Sequence, residues 1–158
     1  MPEPLKDQII RAVEQTSMLY YRLVLLAAPS GAGKTAALQE VSREIDAPLI
    51  NVNLEISKRM LDLTERQRVL QLPRLLQGIA GNLEGTTILL DNIEILFDIS
   101  LKQDPLRLLQ GLSRNKTVVA AWNGSVDGEY VNYATPGHPE YKRYSTRDLL
   151  VVHQEPTL

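Results

Sequence analysis

Short apolar runs recur along the chain at Leu23–Ala27, Pro48–Asn53, Thr86–Asp91, Thr117–Trp122 and Leu149–Val152. Three of them, at 23–27, 86–91 and 117–122, are apolar almost without interruption. That character predicts strands covered on both faces rather than strands with one wet face. Helical periodicity fills the intervals. Leu5, Ile9, Ile10 and Val13 share one face of a helix expected from Leu5 to Met18. A second helix is expected over Ala36–Val41. A long one runs from Ile56 to Ile79 and should break or kink near Pro73, which cannot donate its backbone N–H. A fourth covers Pro105–Leu112, and another helix should open at Ile93. Strands alternating with helices predict an α/β domain around a parallel sheet of five strands.

Residues 125–147 break this rhythm. Gly128, Tyr130, Tyr133, Pro136, Gly137, Pro139, Tyr141 and Tyr144 dominate the stretch. It reads as a long ordered loop or a short hairpin, not a helix pair. Loops of this length inside a compact domain are usually functional. The 158 residues suffice for one domain spanning 1–158, its first helix lying within residues 1–20.

Composition narrows the classes. There is no cysteine, so disulfides, thiol catalysis and Cys-based metal sites are excluded. A net charge of −2 makes no chain-wide case for binding nucleic acid. No run is long enough to span a bilayer, and the N-terminus lacks the order of a signal peptide. The expectation is a soluble, cytoplasmic protein with no membrane partner. One Trp and one Phe leave the core to aliphatic residues.

The candidate chemistry sits between the first strand and the second helix. Ala28-Pro29-Ser30-Gly31-Ala32-Gly33-Lys34-Thr35 joins them, with Ala36 following. Strand, glycine-rich turn, Lys-Thr and helix is the context of a phosphate-binding loop. Loop amides and the positive helix end would cradle phosphates, with Pro29, Ser30, Gly31, Ala32, Gly33, Lys34, Thr35 and Ala36 as the nucleotide-binding set. Lys34 would reach the outer phosphates and Thr35 would hold Mg²⁺. The usual first Gly of such a loop is Ala28 here. The alternative is an ordinary strand-to-helix turn with a solvated lysine.

Asp91 ends an apolar strand, where a carboxylate is placed to bind Mg²⁺ beside the loop. It could instead merely cap the next helix. Asn123, with Gly124, ends the fourth strand. It would touch the γ-phosphate or the attacking water, unless Asn-Gly is simply a turn. The first helix either covers a sheet edge or lines an adenine pocket. His138 has no constellation around it and receives no role.

Five strands with this loop after the first, and an acid-ended strand beyond an intervening unit, resemble the ASCE division of P-loop ATPases and within it the AAA+ core. That resemblance covers Leu23 to Val152 and implies a three-layer αβα P-loop fold with sheet order 5-1-4-3-2. In hydrolysing AAA+ proteins a Glu usually follows the Asp, and it positions water. Asn92 stands there, so hydrolysis is expected to be slow. Glu94 either takes the role or is a first-turn acid favoured by the helix dipole. Arg143 and Arg147 precede the fifth strand, as do the arginines that reach a neighbouring subunit's nucleotide in AAA+ proteins. They are otherwise solvated charges. No helical lid follows that strand.

Ala27–Thr35, Leu89–Phe97, Ala121–Gly124 and Tyr133–Tyr141 together resemble the BrxF family, the small P-loop proteins of type 3 BREX bacteriophage-exclusion systems. The resemblance implies ATP with Mg²⁺, a homo-oligomer, and an anti-phage role beside a DNA methyltransferase and other BREX proteins. It alone favours ATP over GTP. The catalytic set expected on these grounds is Lys34, Asp91, Glu94, Asn123, Arg143 and Arg147, with Thr35 and Asp91 on the metal. Kinase activity or a nucleotide-gated assembly switch are the other classes considered.

Overall fold

Every residue of the strand Leu23–Ala28 (β1) is buried, so it must be flanked on both edges and covered on both faces. A computed structural model describes residues 3–153 and shows how this is done. The chain runs through α1 (Leu5–Gln15), β1, α2 (Lys34–Ile45), β2 (Leu49–Asn51), α3 (Val52–Met60), α4 (Glu65–Gly81) and β3 (Thr87–Asp91). After two short 3₁₀ turns come α5 (Pro105–Leu112), β4 (Thr117–Asp127), β5 (Tyr130–Tyr133), β6 (Lys142–Ser145) and β7 (Leu150–His153). The parallel strands lie in the order β2-β3-β4-β1-β7.

Side chains alternate across this sheet with the period of two that strands impose. Leu23, Leu25 and Ala27 join Ile88, Leu90, Val118, Ala120 and Trp122 against α3, α4 and α5. Val24 and Leu26 join Leu89, Val119 and Ala121 against α1 and α2. Helices therefore cover both faces of a mostly parallel α/β sheet. The face of α1 that carries Leu5, Ile9, Ile10 and Val13 packs onto this second core.

Several local expectations are corrected. Five strands run parallel, and residues 125–147 add two antiparallel strands as a hairpin extension rather than a long loop, making seven in all. β4 does not turn at Asn123-Gly124. It continues to Asp127 and pairs antiparallel with β5, which pairs with β6. The hairpin bend falls at Gly128, whose φ is 59°. Gly124 is a close-approach glycine instead: a Cβ there would lie 1.7 Å from the carbonyl oxygen of Asn132.

Near Ile93 the chain makes a 3₁₀ turn, Glu94–Phe97, rather than an α-helix. Asn92 precedes it in the left-handed region, with φ of 51°. The second strand stops at Asn51, whose side chain accepts from the Leu54 N–H at 3.1 Å and starts α3 early. The first helix ends at Gln15, and Thr16–Met18 form a 3₁₀ turn.

The long helical region breaks at residues 61–64, not at Pro73. Thr64 and Gln67 form a capping box that starts a new helix there. Pro73 lies inside α4 and leaves the Val69 carbonyl without its helical donor. Gln103 fills the vacancy: its Nε2 donates to Val69 O at 2.9 Å. A side chain from the α5 approach thus replaces the bond that proline removes.

Gln103→Leu should therefore cost about 1 kcal/mol in urea unfolding. In a Pro73→Ala background the restored N–H can take the Val69 carbonyl, so the same substitution should cost less than half as much. Equal costs in the two backgrounds would show that the Gln103 bond does not compensate for the proline.

Candidate functional site

The parallel strands all end toward one side of the sheet, β1 and β4 running two residues beyond the level of Asp91. Ala28 of β1 pairs with Asn123 of β4, and Asn51 of β2 pairs with Asp91 of β3. Open parallel sheets bind ligands in the crevice outside these ends. A cavity of about 410 Å³ lies there. Ser30, Gly31, Gly33, Lys34, Thr35 and Ala36 line one side of it, and Asp91, Asn92, Glu94 and Asn123 line the other.

The loop side follows from its glycines. Gly31 and Gly33 have φ of 82° and 93°, a conformation that β-carbons resist. Gly33 is the N-cap of α2, and its carbonyl accepts the first helical bond from Ala37 N–H at 3.1 Å. The N–H groups of residues 34–36 precede that bond, at the positive end of the helix. Pro29 and Ala32 shape the loop from behind: Ala32 N–H donates to Pro29 O at 3.2 Å.

Lys34 is 7% exposed and folds back over the loop. Its Nζ donates to the carbonyls of Ala28 and Pro29, each at 2.8 Å. Burial pulls its pKa below the ordinary lysine value, while Asp91 and Glu94 pull the other way. Thr35 Oγ1 donates to Asp91 Oδ2 at 2.6 Å, and Asp91 Oδ1 accepts from the Asn92 N–H at 3.0 Å. Each oxygen of this buried carboxylate, 6% exposed, therefore has a partner. Asp91 thus reaches across to α2 with one oxygen and accepts from the N–H at the start of the following turn with the other.

Glu94 is held by two amides. Asn123 Nδ2 donates to its Oε1 at 2.6 Å and Asn53 Nδ2 to its Oε2 at 3.3 Å. Asn53 also accepts from the Ile95 N–H at 2.8 Å through Oδ1, and its own N–H donates to Asn92 O at 2.8 Å. Sequence reasoning passed over Asn53 as a strand residue. The signal available was a second polar side chain, two residues past Asn51, where the strand leaves the sheet. Gln39, one helical turn beyond Thr35, also lines the cavity.

Arg143 and Arg147 are not brought to the cavity. Arg143 lies over the Tyr130 ring, 4.1 Å from its centroid, and donates to Asn132 Oδ1 at 3.2 Å beside Asp127. Arg147 sits between β6 and β7, where its N–H donates to Ser145 Oγ at 3.2 Å. Among the described residues there is no cluster of three acidic, His or Cys side chains able to hold a metal by themselves, and no helix long and apolar enough to cross a membrane. No family model, curated protein or solved structure matches the chain.

The lowered Lys34 pKa has a signed consequence. Between the native value and the ordinary 10.5, the unfolded chain keeps a proton that the folded chain has released. Stability then rises with pH across that window. As pH rises toward 10.5 the native chain should gain urea stability relative to Lys34→Met, which lacks the group. Parallel stability profiles for the two would show that the ammonium is not held at a cost.

Proposed function

We propose that this chain is a Mg²⁺-dependent P-loop NTPase of the ASCE division that binds and slowly hydrolyses ATP. The observation that carries the proposal is the Thr35–Asp91 bond beside Lys34: a helix-start hydroxyl and a strand-end carboxylate, 2.6 Å apart, at a glycine loop. The sheet path supports the same reading. Its parallel path β7-β1-β4-β3-β2 is compatible with the 5-1-4-3-2 order expected for that division.

The residues fit a magnesium-bound triphosphate. Thr35 and Asp91 offer hard oxygens, which suit Mg²⁺. One ammonium and two carboxylates face the cavity, so a polyphosphate needs an accompanying cation to enter. The metal, held by Thr35 and Asp91 when bound, would supply neutralisation of phosphate charge.

The chain's own groups do the rest. Loop amides hold the phosphates, and Lys34 exchanges its two carbonyl partners for phosphate oxygens. Glu94 orients a water and accepts its proton as the water oxygen bonds to the γ-phosphorus. The bond to the β,γ-bridging oxygen breaks, and ADP leaves with that electron pair. Asn123 stands beside Glu94 as the second polar group at this end. Arg143 or Arg147 would contribute only from a neighbouring copy, which is why a homo-oligomer belongs to the proposal. In the BrxF setting the chain would act in the cytoplasm with other BREX proteins.

A second reading is a nucleotide-gated assembly switch with little turnover. The double clamp on Glu94, together with Asn92 in the place usually held by Glu, favours it.

Lys34→Ala should lower affinity for ATP·Mg²⁺ by at least about a hundredfold in calorimetry, the cost of removing a buried charged contact. Undiminished affinity would overturn the phosphate-loop reading. Glu94→Gln should bind nucleotide normally and release phosphate at least about a hundredfold more slowly. Light scattering with and without ATP·Mg²⁺, with phosphate followed in the same samples, separates the readings: assembly without release supports the switch.

A further inference from the structure

Glu94 stands on a single 3₁₀ turn, which has few bonds of its own. Leu96 N–H donates to Ile93 O and Asp98 N–H to Ile95 O, at 3.0 and 3.2 Å. With three residues per turn, positions i and i+3 eclipse. Glu94 and Phe97 therefore share one edge of the turn, so a restraint on the Phe97 ring adds to the two amide bonds that hold Glu94.

That ring lies flat on Tyr133 of β5. The centroids are 3.5 Å apart and the planes differ by 7°. Trp122 closes the cluster edge-on, 5.2 Å from Phe97 and 5.8 Å from Tyr133, and its Nε1 donates to Asn132 O at 3.1 Å. All three rings are buried. The antiparallel extension thus meets the turn twice. Asn123, where β4 enters the extension, donates to the Glu94 carboxylate, and Tyr133 clamps the ring three residues on. The Ala134 N–H reaches Asn123 O at 3.4 Å and ties the two contacts together. At its far edge, Tyr144 Oη donates to Asp104 Oδ1 at 2.9 Å, so the extension is anchored to the N-cap of α5.

We infer that Tyr133 is a positioning residue for Glu94, acting through the Phe97 ring, and that the antiparallel extension sets where this carboxylate sits over the cavity. The inference rests on the hydrolase reading for its catalytic consequence but not for its structural one. Burial and the nearby Glu94 charge both hold the Tyr133 phenol above its ordinary pKa, so it stays neutral beside the carboxylate.

The test compares Tyr133→Leu, which removes the stacked ring, with Tyr133→Phe, which keeps it. In the ligand-free protein, hydrogen exchange over residues 93–98 should quicken about tenfold or more in Tyr133→Leu and stay native in Tyr133→Phe. Native exchange rates there in Tyr133→Leu would overturn the inference. With ATP·Mg²⁺, kcat should fall about tenfold to a hundredfold in Tyr133→Leu at a KM within about twofold of native, and Tyr133→Phe should recover it. Unchanged kcat in Tyr133→Leu, or a Tyr133→Phe variant as slow as it, would also overturn the inference. If Tyr133→Leu does not fold, Phe97→Leu removes the other ring of the stack and is read the same way. A native chain that turns over no ATP overturns the hydrolase reading instead, and the exchange comparison alone then decides the positioning role.

Discussion

A strand with no exposed residue imposes conditions on everything around it. Leu23–Ala28 must have a hydrogen-bonded neighbour on each edge and a helical layer on each face, because an unpaired buried backbone group costs as much as a lost hydrogen bond. β4 and β7 supply the edges. α1 and α2 cover one face, and α3, α4 and α5 the other. Once β1 is central, its exit at Ala28 opens onto the crevice above the sheet. The loop and the start of α2 have nowhere else to go. Asp91 and Asn123 reach the same crevice because their strands run parallel to β1, with Asn123 two residues beyond the level of Asp91. The site is thus a by-product of burying β1, completed by the polar residues placed where the strands end.

Much of this was legible in the sequence. Continuous apolar runs marked the central strands, since no other element of four to six residues is so uniformly apolar. The glycine spacing and Lys-Thr marked the loop. The second half of β4 was not legible. Asn-Gly is a strong turn dipeptide, and local chemistry favours a bend there. Gly124 instead serves a long-range contact, the approach of Asn132 O, which no local rule detects. Pro73 misled in the same way. Its helix-breaking cost is real, but Gln103, thirty residues on, meets it. Asn53 was missed because its partners, Glu94 and the Ile95 N–H, are some forty residues distant. Each failure is a tertiary contact overriding a local preference.

The polar side of the cavity is organised by amides as much as by acids. Glu94 follows Asp91 by three residues, on the 3₁₀ turn. Asn92, with its left-handed backbone, turns the chain so that the acid two residues later faces the crevice. Two asparagine side chains then fix it. A carboxylate between two amide donors is well placed and also well restrained, and both properties bear on how readily the site works.

The position of β1 also matters while the chain is being made. Its pairing partner Val118 follows Leu23 by about 95 residues, and Leu150 of β7 comes later still. At a synthesis rate of about 5–20 residues per second, the most apolar strand leaves the ribosome roughly 5–20 seconds before its first neighbour exists. Helices for both faces are made in that interval, but neither edge of the strand has a partner until β4 arrives. The molecule is therefore most prone to association as a nascent chain, when its future centre is still an open edge.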